Sequence, residues 1–179
     1  PPRQILIQEA LGAPRPVYVH LPIILAPDRT KLSKRHGATS LREYRRAGYL
    51  KEALVNYLAL IGWSPGTDEE FFTLQEHVVR SDLRGLHNSA GVVHSDKLHW
   101  FLRAYIKQLP DVDFREEARK RVPQKIIDLL NKEDVIYSGR FERLLPTVRD
   151  RTNILSDIAT DAEKGEYDFA FFAPQPSPE

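Results

Sequence analysis

Apolar residues recur along this chain at helical spacing, and Gly or Pro interrupts the pattern at short intervals. Leu50, Ala53, Leu54, Tyr57, Leu58 and Ile61 stand at offsets of 0, 3, 4, 7, 8 and 11. Those offsets mark one face of a helix, and Gly62 stops it. Leu98, Phe101, Leu102, Tyr105 and Ile106 make a second stripe, which Ser95 can cap and Pro110 ends. Ser40 with Glu43, and Thr73 with Glu76, have the spacing of capping boxes. Such a chain is mainly α, with short helices packed on one another.

Other segments extend this reading. Gln4 to Leu11 reads as a short helix with Leu6, Ile7, Ala10 and Leu11 on one side and Gly12 as its stop. Val17 to Leu25 is β-rich, and Pro22 interrupts it. Pro27 to Thr30 has turn chemistry. Asp113 is placed to cap a helix, and Pro123 to start the one holding Ile126, Ile127, Leu129 and Leu130. Ser138 opens a helix with Phe141, Leu144 and Leu145, and a last helix includes Ile154, Leu155 and Ile158. Residues 173–179 read as a Pro-rich tail. Pro110 suggests a boundary, with one unit over 1–110 and a second over 111–179.

Composition narrows the class. With 179 residues, 41% hydrophobic and 28% charged, the chain can fold around its own core. No apolar run is long enough to span a bilayer. The lack of Cys excludes disulfides, thiolate zinc sites and cysteine nucleophiles, and no arrangement of His residues suggests a metal site. The net charge of +1 conceals an asymmetry: residues 1–51 hold ten Lys/Arg against three Asp/Glu. That front is either a polyanion-handling surface or a solvated basic face. The sequence has no Met and opens Pro1-Pro2-Arg3, which fits removal of an initiator or excision from a longer protein.

Within the basic front, Lys31, Lys34 and Arg35 fall in five residues beside Ser33 and before Gly37. Cations on such a loop can close over a triphosphate and neutralise the charge that grows as pyrophosphate leaves. An exposed basic turn is the plain alternative.

Sequence context decides between them. His20 to Asp28, followed by Lys31-Leu32-Ser33-Lys34-Arg35-His36-Gly37-Ala38, closely resembles bacterial-type glutamyl-tRNA synthetase, a class I enzyme. The Lys-Leu-Ser-Lys-Arg run is similar to the second class I signature, the KMSKS loop. Glu43-Tyr44-Arg45, Gly48-Tyr49-Leu50, Asn56-Tyr57-Leu58 and Ile61-Gly62-Trp63-Ser64 follow in the family's order, with Lys97, Leu98, Trp100, Tyr105 and Ile106 beyond. The strong resemblance covers about residues 2–106.

The resemblance implies a fold and a reaction. The short β/loop segment would close the catalytic region, followed by stem-contact helices and the start of a helical anticodon-binding domain. The parent enzyme would activate glutamate with ATP and Mg²⁺ and transfer it to tRNA(Glu), with tRNA(Gln) left open. Lys34 would stabilise the ATP phosphates, assisted by Lys31 and Arg35. Leu32, Ser33 and Ile24 would complete the nucleotide contacts. A cytoplasmic monomer is implied. RNA contacts are expected from Arg42, Arg45 and Arg46 after the loop, and from Arg140, Arg143, Arg149 and Arg151 later. A weaker cluster is Arg115, Arg119 and Arg121. Each cluster is also readable as a solvated helix face.

Departures from the family pattern qualify this. The His-Ile-Gly-His type of first signature does not occur in the sequence, so the 179 residues are expected to be a fragment without activity of their own. Ser81 stands for the usual Phe, Val93-His94 for Phe-Asp, and Leu102 for Asn. A glutaminyl-type enzyme shares the loop but continues into a β-barrel region, and a class I lysyl enzyme also has a helical C-terminus, against which the Gly-Tyr-Leu and Gly-Trp-Ser blocks favour the glutamyl type. A stand-alone RNA-binding module that keeps the loop as a relic is the rival of a different kind.

Overall fold

The structure is a computed structural model that describes residues 1–33, 40–130 and 135–172. Its helices are α1 (Pro2–Ala10), α2 (Leu41–Arg46), α3 (Lys51–Gly62), α4 (Leu74–Arg80), α5 (Ser95–Gln108), α6 (Asp111–Arg119), α7 (Gln124–Leu130), α8 (Val135–Arg151), α9 (Ser156–Glu163) and α10 (Asp168–Phe172). Among the described residues, β-pairing is limited to isolated bridges. The mainly helical reading therefore holds.

Helix entry follows the capping chemistry at two places. The Ser40 hydroxyl accepts from the Glu43 amide while the Glu43 carboxylate accepts from the Ser40 amide. Thr73 and Glu76 do the same for α4. Elsewhere the boundaries move by a few residues. Ser95 is the first residue of α5, and the cap position falls to His94, whose side chain makes no capping bond. α6 starts at Asp111, so Asp113 lies in its first turn. α8 starts at Val135, which puts Ser138 inside it, and Ile154 and Leu155 precede α9. Residues 173–179 lie outside the described residues.

The β-rich segment is the clear difference. Among the described residues, 17–24 form no β-bridge, and Val17 is 91% exposed. A strand needs a neighbour for its ladder, and Pro14, Pro16 and Pro22 remove amides that would feed one. Pairing begins only at Leu25.

Two cores share one helix. Ala53, Leu54 and Tyr57 of α3 pack on Leu98, Phe101 and Leu102 of α5. Four residues on, Ile106 of the same helix joins Phe114, Ile126, Phe141, Leu145, Val148 and Ile158 in the second core. Each large side chain buried there stabilises the fold by about 1.5–3 kcal/mol. Leu102 is completely buried, so an apolar side chain suits that position.

Asn56 is the polar centre of the first core. It is 3% exposed, and its amide donates to the Glu70 carbonyl at 2.9 Å. Its oxygen accepts from the Phe72 amide at 3.1 Å and the Tyr105 hydroxyl at 2.8 Å. The side chain thereby ties α3 to the 70–72 segment and to α5. Nearby, the Tyr57 hydroxyl donates to the His94 carbonyl and accepts from the His94 amide. Burial raises the Tyr57 pKa above its ordinary value.

Gly48 joins the two cores. Its φ of 81° is a left-handed value, and an added Cβ would sit 2.8 Å from the Ser156 amide nitrogen. Its carbonyl accepts from the Leu155 amide at 3.3 Å. Only glycine permits both the turn and the approach.

Asn56→Ala would strand the Phe72 amide and the Glu70 carbonyl. We expect a loss of roughly 2–4 kcal/mol in urea unfolding, because buried groups left without partners cost about 1–3 kcal/mol each. A loss below about 1 kcal/mol would mean that the hub is not structural.

Candidate nucleic-acid interface

The basic front is built on a small hairpin. Leu25 bridges Lys31 in antiparallel sense, and the Ala26 amide donates to the Thr30 carbonyl at 2.8 Å. The Ile24 carbonyl accepts from the Leu32 amide at 3.4 Å. The hairpin is stapled to the segment entering α5: Leu25 donates to the Gly91 carbonyl, and Val93 donates to the Leu25 carbonyl, both at 2.9 Å. A segment poor in secondary structure is thus held on the α3–α5 core by its backbone.

Lys31 and Ile24 are exposed on this hairpin, with Leu32 and Ser33 half-buried. Lys34 and Arg35 lie outside the described residues. At the hairpin turn the Asp28 carboxylate accepts from the Thr30 amide at 2.9 Å and its hydroxyl at 2.7 Å. Between them, Arg29 has φ 61°. The sequence reading treats these residues only as a turn and misses Arg29 as an exposed cation two residues before Lys31.

α2 presents Arg42, Arg45 and Arg46 to solvent, and none makes an ion pair among the described residues. Spacings of three and four residues put Arg42 beside both others. On the inner side, the Tyr44 and Tyr49 rings meet edge-on at 4.9 Å, and the Tyr49 hydroxyl lies 3.1 Å from His99 Nε2. Burial raises the pKa of both tyrosines.

Between α2–α3 and α6 runs an open cleft of about 620 Å³, with Tyr44, Tyr49 and Leu54 in its lining and Arg45, Lys51 and Arg121 as its cations. Arg121 is held by Glu117, which also accepts from Lys120 at 2.9 Å. Burial pushes the Glu117 pKa up, but the hydrogen bonds from Lys120 and Arg121 outweigh it and leave it lowered.

The later arginines have other engagements. Arg149 pairs with Asp111 at 3.0 Å and lies 4.6 Å from the Phe114 ring centroid, with its side chain only 18% exposed. Arg140 donates to the Ala170 carbonyl at 3.3 Å, and Arg151 pairs with Glu166 at 3.1 Å. Arg115 pairs with Glu142 at 2.7 Å. Arg143 is exposed and makes no ion pair among the described residues. One helix thus carries both inward-bound and outward-facing arginines.

Comparison with known proteins defines the class first. Residues 1–100 match the family model described as tRNA synthetases class I (E and Q), catalytic domain, and the chain belongs to that family. More particularly, it is similar to glutamate–tRNA ligases. It is 42% identical over 162 residues to glutamate–tRNA ligase 1 of Caldanaerobacter subterraneus subsp. tengcongensis, covering 88% of this chain and 32% of that protein. It is 54% identical over 106 residues to the Carboxydothermus hydrogenoformans ligase, covering 59% of this chain and 22% of that protein. A crystal structure of a glutamate tRNA ligase from Elizabethkingia meningosepticum in complex with its amino acid matches 90% of this chain and 34% of its own, with TM-score 0.68 and 26% identity. The Elizabethkingia anophelis glutamate–tRNA synthetase matches with TM-score 0.69, 26% identity and coverage of 90% and 35%. The chain spans about a third of the length of most of these relatives.

The geometry separates structural from available cations. Arg149→Gln would cost about 1 kcal/mol in chemical denaturation, from the lost ring stacking and ion pair. Arg45→Gln would leave the unfolding midpoint unchanged. Equal effects of the two would contradict this division.

Proposed function

We propose that these 179 residues supply the ATP-phosphate loop and part of the tRNA-binding surface of a glutamate–tRNA ligase. The observation that carries this reading is the set of three exposed arginines on α2, without ion pairs among the described residues, which follow the Lys-Leu-Ser-Lys-Arg run in the sequence. Family membership and the similarity to glutamate–tRNA ligases support it.

The ligase joins glutamate to ATP as glutamyl-adenylate, releases pyrophosphate and passes glutamate to the terminal ribose of tRNA(Glu). Lys34 carries the phosphate contact, with Lys31 and Arg35 adding positive charge where the leaving group becomes more negative. The Ile24–Leu32 backbone and Ser33 border the nucleotide, and Mg²⁺ enters with the ATP phosphates. In this layout residues 1–110 close the catalytic region and make the stem contact, and 111–179 begin the anticodon-binding domain. Arg42, Arg45 and Arg46 meet RNA phosphates, and Arg143 adds a later contact. Arg140, Arg149 and Arg151 set the shape of the helical surface.

Two measurements test the reading. The purified 179 residues should give no glutamate-dependent pyrophosphate exchange, because the first class I signature is not in them. Their affinity for a tRNA(Glu) transcript should fall linearly on a log–log plot against salt. Replacing Arg42, Arg45 and Arg46 together by Gln should reduce that slope by about 2–3, since each lost phosphate contact removes about 0.7–0.9. A flat dependence for the wild type would refute the RNA-binding role, and measurable exchange would refute the division of labour.

A further inference from the structure

We infer that Arg29 is an additional phosphate-binding residue, mounted at the hairpin turn in a backbone conformation that its side chain does not favour. This rests on the reading that the front of the chain handles phosphate, and it names a residue that neither the loop signature nor the arginine cluster contains.

Among the described residues, Arg29 is the one non-glycine residue with positive φ, at 61°. Its position suits glycine: a three-residue hairpin connection often ends in a left-handed residue, and Gly pays least there. The local bonds impose that conformation. The Arg29 amide donates to the Ala26 carbonyl at 2.8 Å, and the Ala26 amide donates to the Thr30 carbonyl at 2.8 Å. Asp28 closes the other side through Thr30. The turn is thus over-determined by atoms other than the Arg29 side chain.

Arg29 is exposed, and no ion pair, hydrogen bond or ring contact holds its guanidinium among the described residues. Strain that gives no packing in return is a reason to look for a ligand. The chemistry available is a permanently charged planar fork, suited to a phosphate oxyanion. Lys31, two residues on, is exposed on the returning arm of the same hairpin. The hairpin is itself fixed to the α5 entry through Leu25, so Arg29 is a cation on a braced support. The phosphate belongs either to the RNA backbone or to ATP, and one experiment distinguishes the two.

The test compares the wild type with Arg29→Gly and Arg29→Lys. Glycine removes both the charge and the backbone strain, and lysine keeps both. Binding is measured across a salt series for a tRNA(Glu) transcript and, separately, for MgATP. Arg29→Gly should melt at the same temperature as the wild type or higher, yet either bind tRNA(Glu) with a salt slope shallower by about 0.7–0.9 or bind MgATP several-fold more weakly at low salt. Arg29→Lys should keep the slope. A change confined to tRNA assigns the contact to the RNA backbone, and one confined to MgATP assigns it to the nucleotide. If the wild type is salt-dependent and Arg29→Gly matches it for both ligands, the inference fails. A lower melting temperature for Arg29→Gly would also overturn it, by showing a structural role. A wild type that binds neither ligand in a salt-dependent way would sink the functional reading itself, a result distinct from either.

Discussion

The hydrogen bonds of Asn56 hold together what the rest of the front depends on. One amide side chain, sealed from water, joins α3 to the 70–72 segment and to α5. A buried amide is tolerable only when its partners are in place, so this group demands one register among three segments. The strand-like segment entering α5 then has a fixed edge at Gly91 and Val93, and the hairpin of residues 24–32 docks on that edge. The placement of the exposed cations is inherited from that core.

Folding divides the positive charge into two populations. In the helices after Pro110, Arg149, Arg151, Arg115 and Arg140 find carboxylates, a carbonyl or an aromatic face within the chain. At the front, α2 keeps Arg42, Arg45 and Arg46 turned outward, with Tyr44 on the other side against the Tyr49 ring. A net charge near zero is therefore compatible with a locally basic surface. Exposed cations without internal partners keep their charge available to an external polyanion.

Much of the helical architecture was legible because its signals are local. The α3 and α5 stripes follow from side-chain spacing alone, and both capping boxes form as their four-residue patterns require. The β-rich reading of residues 17–25 fails because a strand is a property of two segments, and among the described residues only Leu25 of that stretch forms a bridge. Sorting the arginines lay beyond sequence for the same reason. Asp111 is 38 positions before Arg149, and Glu166 is 15 after Arg151, so no helical spacing announces either pair. Gly48 was readable as a helix stop, but its approach to Ser156 depends on the packing of distant segments. The ordered motifs were specific enough to indicate the family, whereas the left-handed Arg29 has no signature beyond its place in a turn.

Hydrogen exchange on the chain, free and bound to a tRNA(Glu) transcript, shows which face meets the RNA. Amide exchange should slow over residues 24–33 and α2, with little change where Arg149 is locked against Phe114 and Asp111. Slowing confined to α6 and α8, with residues 24–46 unaffected, would contradict the assignment of the RNA surface to the basic front.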